Sequence, residues 1–193
     1  MSLPLISDQL VKGTGASNFF ASQWEQARED RLMPRRSDLT ARRLVPILPV
    51  LTIYEYRSPE EVIVRLCGSR FCQLVNINMT GKNLMDLAIG EHRRRKRIER
   101  WRNLASFPCG GLTKIALPQP GGFSYQCDAI FLPVAPDDDR APLQFMSVLE
   151  ELAPGEPTPE IQNFLQQQVQ TYPDEFLYID IGRGAPQGEP RVQ

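Results

Sequence analysis

The segment from residue 47 to residue 81 constrains the fold most, because two strand signals, a turn and a helix signal follow one another within it. Residues 47–56 and 62–67 are rich in β-branched and aromatic side chains, which favour strands. The turn between them contains Pro59, and Gly68 then releases the chain into a short helix. The segment therefore predicts two antiparallel strands that lead directly into small helices.

The length and composition predict one core with flanking arms. The chain has 193 residues, of which 41% are hydrophobic. Its formal net charge of −1 argues against a general attraction to nucleic acid or anionic lipid. No apolar run approaches the roughly 20 residues that cross a bilayer, and the first residues lack the pattern of a secretory signal. We therefore expect a cytoplasmic protein that does not insert into membranes.

The cysteines and the histidine do not favour a disulfide framework or a zinc site. Cys67, Cys72, Cys109 and Cys127 form no CxxC pair, which suits reduced thiols. His92 is the one histidine of the sequence, and a protein-built zinc site usually needs more nitrogen or sulfur ligands than this pattern offers.

An aromatic stripe predicts a helix before the first strand. Phe20, Trp24 and Ala27 recur at helical spacing after a cap at Ser17 or Asn18. This stripe needs an apolar partner, which can be the chain's own sheet or the sheet of a second subunit.

The rest of the chain predicts a longer helix followed by a meander. The helix covers about residues 90–106, with Ile98, Trp101 and Ala105 as its core stripe and Leu104 beside it. Three strands follow at 112–117, 122–134 and 143–152. The expected organisation is a flexible N-terminus at 1–16, a helix and connector at 17–45, a core domain at 46–152, a linker and helical arm at 153–181, and a disordered tail at 182–193. Within the arm, residues 176–181 can form a short strand.

The order of two strands, small helices, one longer helix and three strands resembles the PAS domain. More narrowly, it is similar to a bacterial one-domain PAS family found chiefly in alphaproteobacteria. The residues that carry this resemblance are Trp24 and Arg28, the run 33–38 (MPRRSD), Leu48-Pro49 at the opening of the first strand, the run 65–69 (RLCGS), the run 80–84 (TGKNL) and Leu132-Pro133-Val134.

The resemblance covers residues 18–152 and implies an α+β fold. Its sheet would be five-stranded and antiparallel, with short helices and one longer helix on one face and further helices at both ends. It also implies a sensory or interaction module without an attached catalytic domain. Many members of this family have no assigned ligand.

A PAS-like sheet would enclose a space beneath its helices, which a ligand or ordinary side chains can fill. The candidate lining residues are Phe71, Met85, Trp101, Tyr125, Cys127 and Phe131. Each of them also suits a packed core, and the sequence favours that simpler explanation. A small molecule of unidentified structure is the alternative.

Neither haem nor flavin is favoured as the cofactor. Haem needs an axial ligand that faces the pocket, and His92 precedes a run of arginines that should face solvent. A light-sensing flavin domain would resemble an Asn-Cys-Arg-Phe-Leu-Gln string. Here Cys72 follows Phe71, so the order is wrong.

The run from His92 to Arg97 is the strongest charge feature. Arg93, Arg94 and Arg97 are candidate anion contacts, which would make the protein a nucleotide- or nucleic-acid-binding regulator. The spacing of Glu91, Arg95 and Glu99 instead favours a solvated helix face with paired charges. No aromatic residues are interleaved with the basic ones, so nucleic acid is the less favoured partner.

The sequence predicts a non-enzymatic regulator that acts through a partner protein or a homodimer. No Ser-His-Asp, Cys-His or paired-carboxylate arrangement can be assembled. The candidate docking residues are Phe20, Trp24, Ala27, Arg35 and Arg36. Arg35 and Arg36 lie in the connector after the first helix, where Asp38 can cap a turn. This structural role of the connector is favoured over a docking surface.

Overall fold

A computed structural model of the chain describes residues 3–6, 15–88, 90–118, 124–155 and 176–186. The α-helices are α1 (Ala16–Arg28), α2 (Ala41–Leu44), α3 (Ser69–Val75) and α4 (Glu91–Ser106). The strands are β1 (Leu51–Ser58), β2 (Glu61–Cys67), β3 (Gly110–Pro118), β4 (Ser124–Val134), β5 (Gln144–Gly155) and β6 (Phe176–Ile179). Short 3₁₀ helices cover Arg36–Asp38, Val45–Val50 and Leu84–Leu87. Among the described residues, no helix is long and apolar enough to span a bilayer.

The six strands form one antiparallel sheet in the order β2-β1-β5-β4-β3-β6. The predicted α+β class and the antiparallel sheet are confirmed. The sheet has one strand more than the five expected, because β6 pairs with β3 from Gly110↔Ile179 to Thr113↔Phe176. At least this end of the C-terminal arm therefore packs on the core, while the helix expected at 159–170 lies outside the described residues.

Helix α1 covers the outer face of the sheet. Phe20 and Trp24 are fully buried in a core with Ile130, Leu132 and Val148 of the central strands. Trp24 Nε1 also donates a hydrogen bond of 2.8 Å to the Pro133 carbonyl. The stripe of Phe20, Trp24 and Ala27 thus packs on the chain's own sheet, which is the first of the two partners that the sequence left open.

Arg28 joins α1 to both ends of the described chain. Its guanidinium lies 5.2 Å from the centre of the Trp24 ring and donates hydrogen bonds to the carbonyls of Ile181, at 3.0 Å, and Pro4, at 2.6 Å. Burial lowers the pKa of this guanidinium, and the nearby Glu25 carboxylate opposes that shift. The outer face is therefore closed by packing and by the hydrogen bonds of Trp24 and Arg28.

The connector after α1 is fastened to the end of β4. Asp38 accepts the Arg35 N–H at 2.8 Å and pairs with Arg31 at 2.9 Å, so it caps the turn as the sequence favoured. The Arg36 N–H bonds to the Ala135 carbonyl at 2.9 Å, and the Arg36 guanidinium donates to the Leu39 carbonyl. Arg35 is exposed, whereas Arg36 is partly engaged in this local structure.

Two expected element boundaries are wrong. The cap of α1 is Gly15 and not Ser17 or Asn18, because the helix already begins at Ala16. Leu48-Pro49 lies in the 3₁₀ helix Val45–Val50, and the first strand begins at Leu51. Gly68 packs so closely on this helix that an added Cβ would lie 2.3 Å from the Pro49 carbonyl oxygen, which explains the glycine at the end of β2.

Helix α4 covers the inner face of the sheet. Ile98, Trp101 and Leu104 are buried against it, whereas Ala105 is only half-buried. Leu104, and not Ala105, therefore continues the core stripe, because residues 97, 98, 101 and 104 lie on one side of the helix. Side chains alternate along each strand, so Thr52 and Tyr54 face α4 while Leu51 and Ile53 face α1.

Candidate ligand cavity

A cavity of about 350 Å³ lies between α4, α3 and the inner face of the sheet. This volume falls within the range of small-molecule sites in proteins. Its walls come from most of the fold: β1, β3, β4, β5 and β6 form the floor, α4 forms the roof, and α3 closes one side. The space therefore lies inside the domain, between its helices and its sheet, and is partly open to solvent.

Aromatic rings form the apolar wall. The Trp101 ring contacts Tyr54 and Phe145 edge-on, with centroid distances of 5.1 and 5.2 Å. Phe131 lies 6.1 Å from Trp101, and Phe71 enters from α3. Edge-to-face contacts fix ring orientation, so the wall is preorganised around the open space.

The C-terminal strand β6 supplies the end wall. Phe176 lies 6.1 Å from Phe131 and 5.1 Å from Tyr178, ring centre to ring centre. Its ring sits directly over Gly111 of β3, where an added Cβ would approach a ring carbon to 2.3 Å. Gly111 thus allows a distant part of the chain to close the cavity.

The roof of the cavity is basic. The lining residues that α4 contributes include His92, Arg93, Lys96, Arg97 and Arg100, whose spacing of three or four residues places them along one edge of the helix. Arg97 and Arg100 are only 6% and 8% exposed. Arg97 Nη1 donates to the Leu84 carbonyl, and the Arg100 guanidinium lies 5.3 Å from the centre of the Phe176 ring. Buried positive charge therefore borders the aromatic wall.

Two arginines of α4 outside the cavity lining lie in exposed ion pairs. Arg95 lies 4.0 Å from Glu91, and Arg102 lies 3.8 Å from Glu60, in exposed ion pairs. The expected i, i+4 pairing of Glu91 with Arg95 is therefore present. The solvated-face interpretation holds for only one side of the helix, because Arg93 and Arg97 line the cavity on the other.

Hydroxyl groups mark the floor beneath the arginines. Thr52 of β1 lies opposite Ser147 of β5, and both line the cavity. Thr52 is 1% exposed, and its Oγ1 makes no hydrogen bond of ordinary geometry. Its neighbour across the β1–β2 pair is Cys67, a weak hydrogen-bonding group. Burial, with a hydrogen bond to Cys72, raises the pKa of the Cys67 thiol to about 12, against the opposing effect of a weak hydrogen bond with Thr52, so this thiol is neutral at pH 7.

The structure brings together three of the six aromatic and apolar residues expected in the pocket. Phe71, Trp101 and Phe131 line the cavity. Met85 is fully buried in the core below α4 and does not line the cavity. Cys127 packs beside Leu74 and Leu117 in a separate small cluster, and Tyr125 lies under the Arg70 guanidinium at 5.7 Å. These three placements correct the expected lining.

The sequence interpretation missed several lining groups. Of the three predicted anion contacts, Arg93 and Arg97 line the cavity, whereas Arg94 is half-buried and does not. Arg100 was not singled out, and Lys96 was named only as part of the basic run, although their spacing from Arg93 and Arg97 is a helical stripe that the sequence contains. His92 is exposed, as expected, and lies at the edge of the cavity.

Metal and acid–base chemistry find little support in the described part of the chain. Within it, no group of three or more histidine, cysteine, aspartate or glutamate side chains could hold a metal ion. The described lining residues of the cavity include one histidine and no carboxylate. The described lining offers positive charge, hydroxyl groups and apolar area for binding.

Comparison with known structures returns sensory domains at low similarity. A LOV protein of Rhodobacter sphaeroides is 19% identical and has a TM-score of 0.39, with 53% of this chain and 58% of that chain covered. The PAS domain of Bordetella pertussis BvgS is 14% identical and has a TM-score of 0.42, with 64% and 90% covered. A fungal LOV domain photoreceptor is 18% identical and has a TM-score of 0.38, with 53% and 73% covered. These likenesses carry no information on the ligand.

The family comparison is decisive for identity. No curated protein sequence matches the chain. The family model described as PAS domain matches residues 13–149, which is more than half of the 193 residues. The narrower resemblance to a bacterial one-domain family stays a prediction. The chain belongs to the PAS domain family and contains a sensory signal-transduction module.

Proposed function

We propose that this protein is a regulatory sensor that binds a small molecule in the cavity under α4. The single observation that carries the proposal is the cavity of about 350 Å³ at the centre of the domain. Cores of proteins are normally packed to the density of organic crystals, with few voids larger than a water molecule. An open space of this size, bordered by oriented aromatic rings and buried arginines, is what a ligand site requires.

The proposed role is non-catalytic. PAS domains are generally sensory modules without enzymatic activity. The described lining of the cavity supports this role, because it offers no carboxylate to pair with His92 as a general acid or base. A cytoplasmic location belongs to the same proposal.

The proposed output is contact with a partner protein or a second subunit, which PAS domains commonly make. The outer-face residues Phe20, Trp24 and Ala27 are buried by the chain itself, so they do not support a role in that contact. Strand β6 and the exposed residue Arg35 remain candidate parts of it. A ligand against Phe176 would contact β6 directly and could change its pairing with β3.

The polyanion-binding alternative is less well supported. A nucleic-acid contact needs basic side chains that are accessible to a phosphate backbone. Arg97 is buried and Arg93 borders the cavity, while exposed Arg95 and Arg102 lie in ion pairs. The basic residues of α4 therefore suit a small molecule inside the domain better than a polymer outside it.

A thermal-shift screen of small metabolites against the wild-type protein and an Ala129→Leu variant tests the proposal. Ala129 is buried on the inner face of β4 and lines the cavity, so a leucine there fills part of the space. We expect compounds that raise the melting temperature of the wild type and leave that of the variant unchanged. A melting temperature of the free variant close to the wild-type value shows that it is folded. Equal responses from both proteins would contradict a ligand site in this cavity.

A further inference from the structure

We propose that Cys67 and Cys72 form a site of reversible oxidation, at which hydrogen peroxide converts the two thiols into an intramolecular disulfide between the end of β2 and α3. The proposal goes beyond the ligand site, because it needs no bound molecule in the cavity. It follows from the positions of the two sulfur atoms, from their exposure and from the place of α3 in the cavity wall.

The two cysteines occupy facing positions at the start of α3. Gly68 is the N-cap of this helix, so Cys67 immediately precedes the cap and Cys72 is the fourth helical residue. Side chains at these two positions commonly pack on each other across the first turn. Cys67 and Cys72 follow this rule, since their thiols share a hydrogen bond. Contact between the two sulfur atoms is the first requirement for a disulfide.

The turn between the cysteines holds this arrangement in place. Cys72 Sγ lies 3.6 Å from the Cys67 carbonyl oxygen, and Cys67 Sγ lies 3.9 Å from the Gly68 carbonyl oxygen. Gly68 is itself fixed, because its N–H donates to the Leu51 carbonyl at 2.8 Å and its Cα leaves no room for a side chain beside the Pro49 carbonyl. Thiols form only weak hydrogen bonds, so these contacts give way easily when the sulfur atoms bond to each other.

Exposure distinguishes this pair from the other two cysteines. Cys67 and Cys72 are half-buried, whereas Cys109 and Cys127 are buried, and all four are free thiols in the structure. A partly exposed thiol can meet an oxidant, while a cysteine enclosed in apolar surroundings is inert. The chain therefore contains one accessible pair and two buried cysteines that serve as internal controls.

Cys72 takes the first step of the oxidation. Burial raises the pKa of the Cys67 thiol to about 12, so Cys67 keeps its proton at pH 7. Cys72, as its thiolate, attacks one oxygen of hydrogen peroxide, and the O–O bond breaks. The Cys72 sulfur becomes a sulfenic acid, and the second oxygen leaves as water with the proton that Cys72 has lost.

Cys67 then closes the bond. Its sulfur attacks the sulfur of the Cys72 sulfenic acid, the S–O bond breaks, and hydroxide leaves with the Cys67 proton as a second water. The two sulfur atoms have together lost two electrons, which the broken O–O bond has accepted. The contact between the side chains favours this step over further attack by peroxide, since a positioned partner reacts as if at high concentration.

The disulfide connects the redox state to the cavity wall. α3 contributes Phe71 and Val75 to the lining, and Thr52, which lies opposite Cys67 in the sheet, lines the same space. Oxidation ties α3 to the end of β2 and removes the thiol that shares a weak hydrogen bond with Thr52. The closed loop is short and partly exposed, which suits a bond that is readily reduced more than a permanent structural one.

Alkylation and peptide mapping by mass spectrometry, before and after treatment of the reduced wild-type protein with hydrogen peroxide, test the proposal. We expect a monomeric product two hydrogen atoms lighter, in which Cys67 is linked to Cys72. It should form at least ten-fold faster than any oxidation of Cys109 or Cys127, and dithiothreitol should restore both thiols. A disulfide formed only between two molecules, or Cys72 sulfinic acid without a disulfide, would overturn the proposal.

Single substitutions separate the roles of the two sulfur atoms. Cys67→Ser should leave a Cys72 sulfenic acid that dimedone traps, whereas Cys72→Ser should give no trapped product. Cys127→Ala is the control and should form the disulfide at the wild-type rate. Trapping at Cys67 in Cys72→Ser, with none at Cys72 in Cys67→Ser, would overturn the assigned chemistry. If a serine variant does not fold, the mapping of the wild-type protein decides alone.

Hydrogen exchange of the oxidised and reduced wild-type protein tests the effect on the cavity wall. Amides of α3 should exchange at least ten-fold more slowly in the oxidised protein, with α1 unchanged. Equal exchange of α3 in the two states would overturn the connection between oxidation and the wall. Ala129→Leu should form the same disulfide, so a failure of the ligand site and a failure of this proposal are distinguishable.

Discussion

The two faces of the one sheet are covered in opposite ways. On the outer face, α1 buries Phe20 and Trp24 completely, and Arg28 is hydrogen-bonded at both ends of the described chain. On the inner face, α4 leaves a cavity of about 350 Å³ and brings Arg97 and Arg100 into its lining. Both helices are amphipathic, but the buried Arg28 of α1 is hydrogen-bonded to backbone carbonyls, whereas Arg97 and Arg100 of α4 line an open space. The difference separates a face built for stability from a face that has room for a ligand.

Replacing the tryptophan of each face should have the largest and most unequal effect. Trp24→Ala removes a fully buried indole and its hydrogen bond to Pro133, and should cost about 3–5 kcal/mol of unfolding free energy. Trp101→Ala should cost less, at most about 3 kcal/mol, because one side of its ring already borders an open space. Urea denaturation followed by circular dichroism measures both. Equal losses would contradict the contrast between the faces.

Gly111→Ala should disturb the inner face alone. The new Cβ would lie 2.3 Å from a carbon of the Phe176 ring, so the ring and β6 must move. Overpacking of this kind costs about 1–3 kcal/mol. Hydrogen exchange should show weaker protection of β6 amides, with α1 unchanged. Adding Phe176→Leu should recover part of the lost stability, since a smaller side chain relieves the contact. Loss of hydrogen-exchange protection in α1 as well as in β6 would show that the two faces are not independent.

Thr52→Val should stabilise the ligand-free protein by at most about 1 kcal/mol, because it removes a buried hydroxyl whose partner, the Cys67 thiol, forms only a weak hydrogen bond. Thr113→Val on β3 is the control, because Thr113 also lines the cavity but has an interaction partner. It should give no gain. Thermal melts of both variants without ligand decide the matter, and destabilisation by Thr52→Val would mean that the hydroxyl is satisfied after all.

Asp128→Asn should have the smallest effect and a defined pH dependence. Burial raises the pKa of Asp128 on the outer face of β4. The Lys114 charge opposes this shift, and the Glu150 carboxylate adds to it. The folded state then holds this proton more tightly than the unfolded state, so stability falls as the pH rises through the unfolded value near 4. Asp128→Asn removes this loss of stability at higher pH. The variant should therefore have an unfolding free energy less than about 1 kcal/mol higher than the wild type at pH 7.

Asp137 should make stability depend on pH in the opposite direction from Asp128. Hydrogen bonds from the Ser37 hydroxyl and N–H lower the pKa of Asp137, so its contribution is present above the unfolded value and is lost as the pH falls. Asp137→Asn should therefore reduce stability at pH 7. Denaturation midpoints of the wild type and both variants from pH 3 to pH 7 test the pair. The difference between variant and wild type should change with pH in opposite directions for the two variants, and changes in the same direction would contradict these assignments.

Local patterns in the sequence predicted most of the sheet and one of its faces. The alternation in β4 and the hairpin of β1 and β2 are short-range signals, and the structure contains both. The α1 stripe also predicted that an apolar surface must cover Phe20 and Trp24. Whether that surface belonged to the same chain could not be predicted, since helical spacing describes a face and not its partner.

The inner face was harder to predict because its features depend on distant contacts. The pairing of β6 with β3 joins residues more than 60 positions apart, and Gly111 gives no local sign that Phe176 will lie over it. Arg100 was overlooked because an arginine on a helix is ordinarily solvated. Its neighbours Trp101 and Leu104 lie on the buried side, and that proximity was the available signal.

Native mass spectrometry of the freshly purified wild type and of Ala129→Leu tests the central claim most directly. The account predicts an extra mass on the wild-type protein that disappears on denaturation and is absent from the folded variant. A wild-type protein with no bound mass, indistinguishable from Ala129→Leu, would contradict the claim that the inner face is a ligand site.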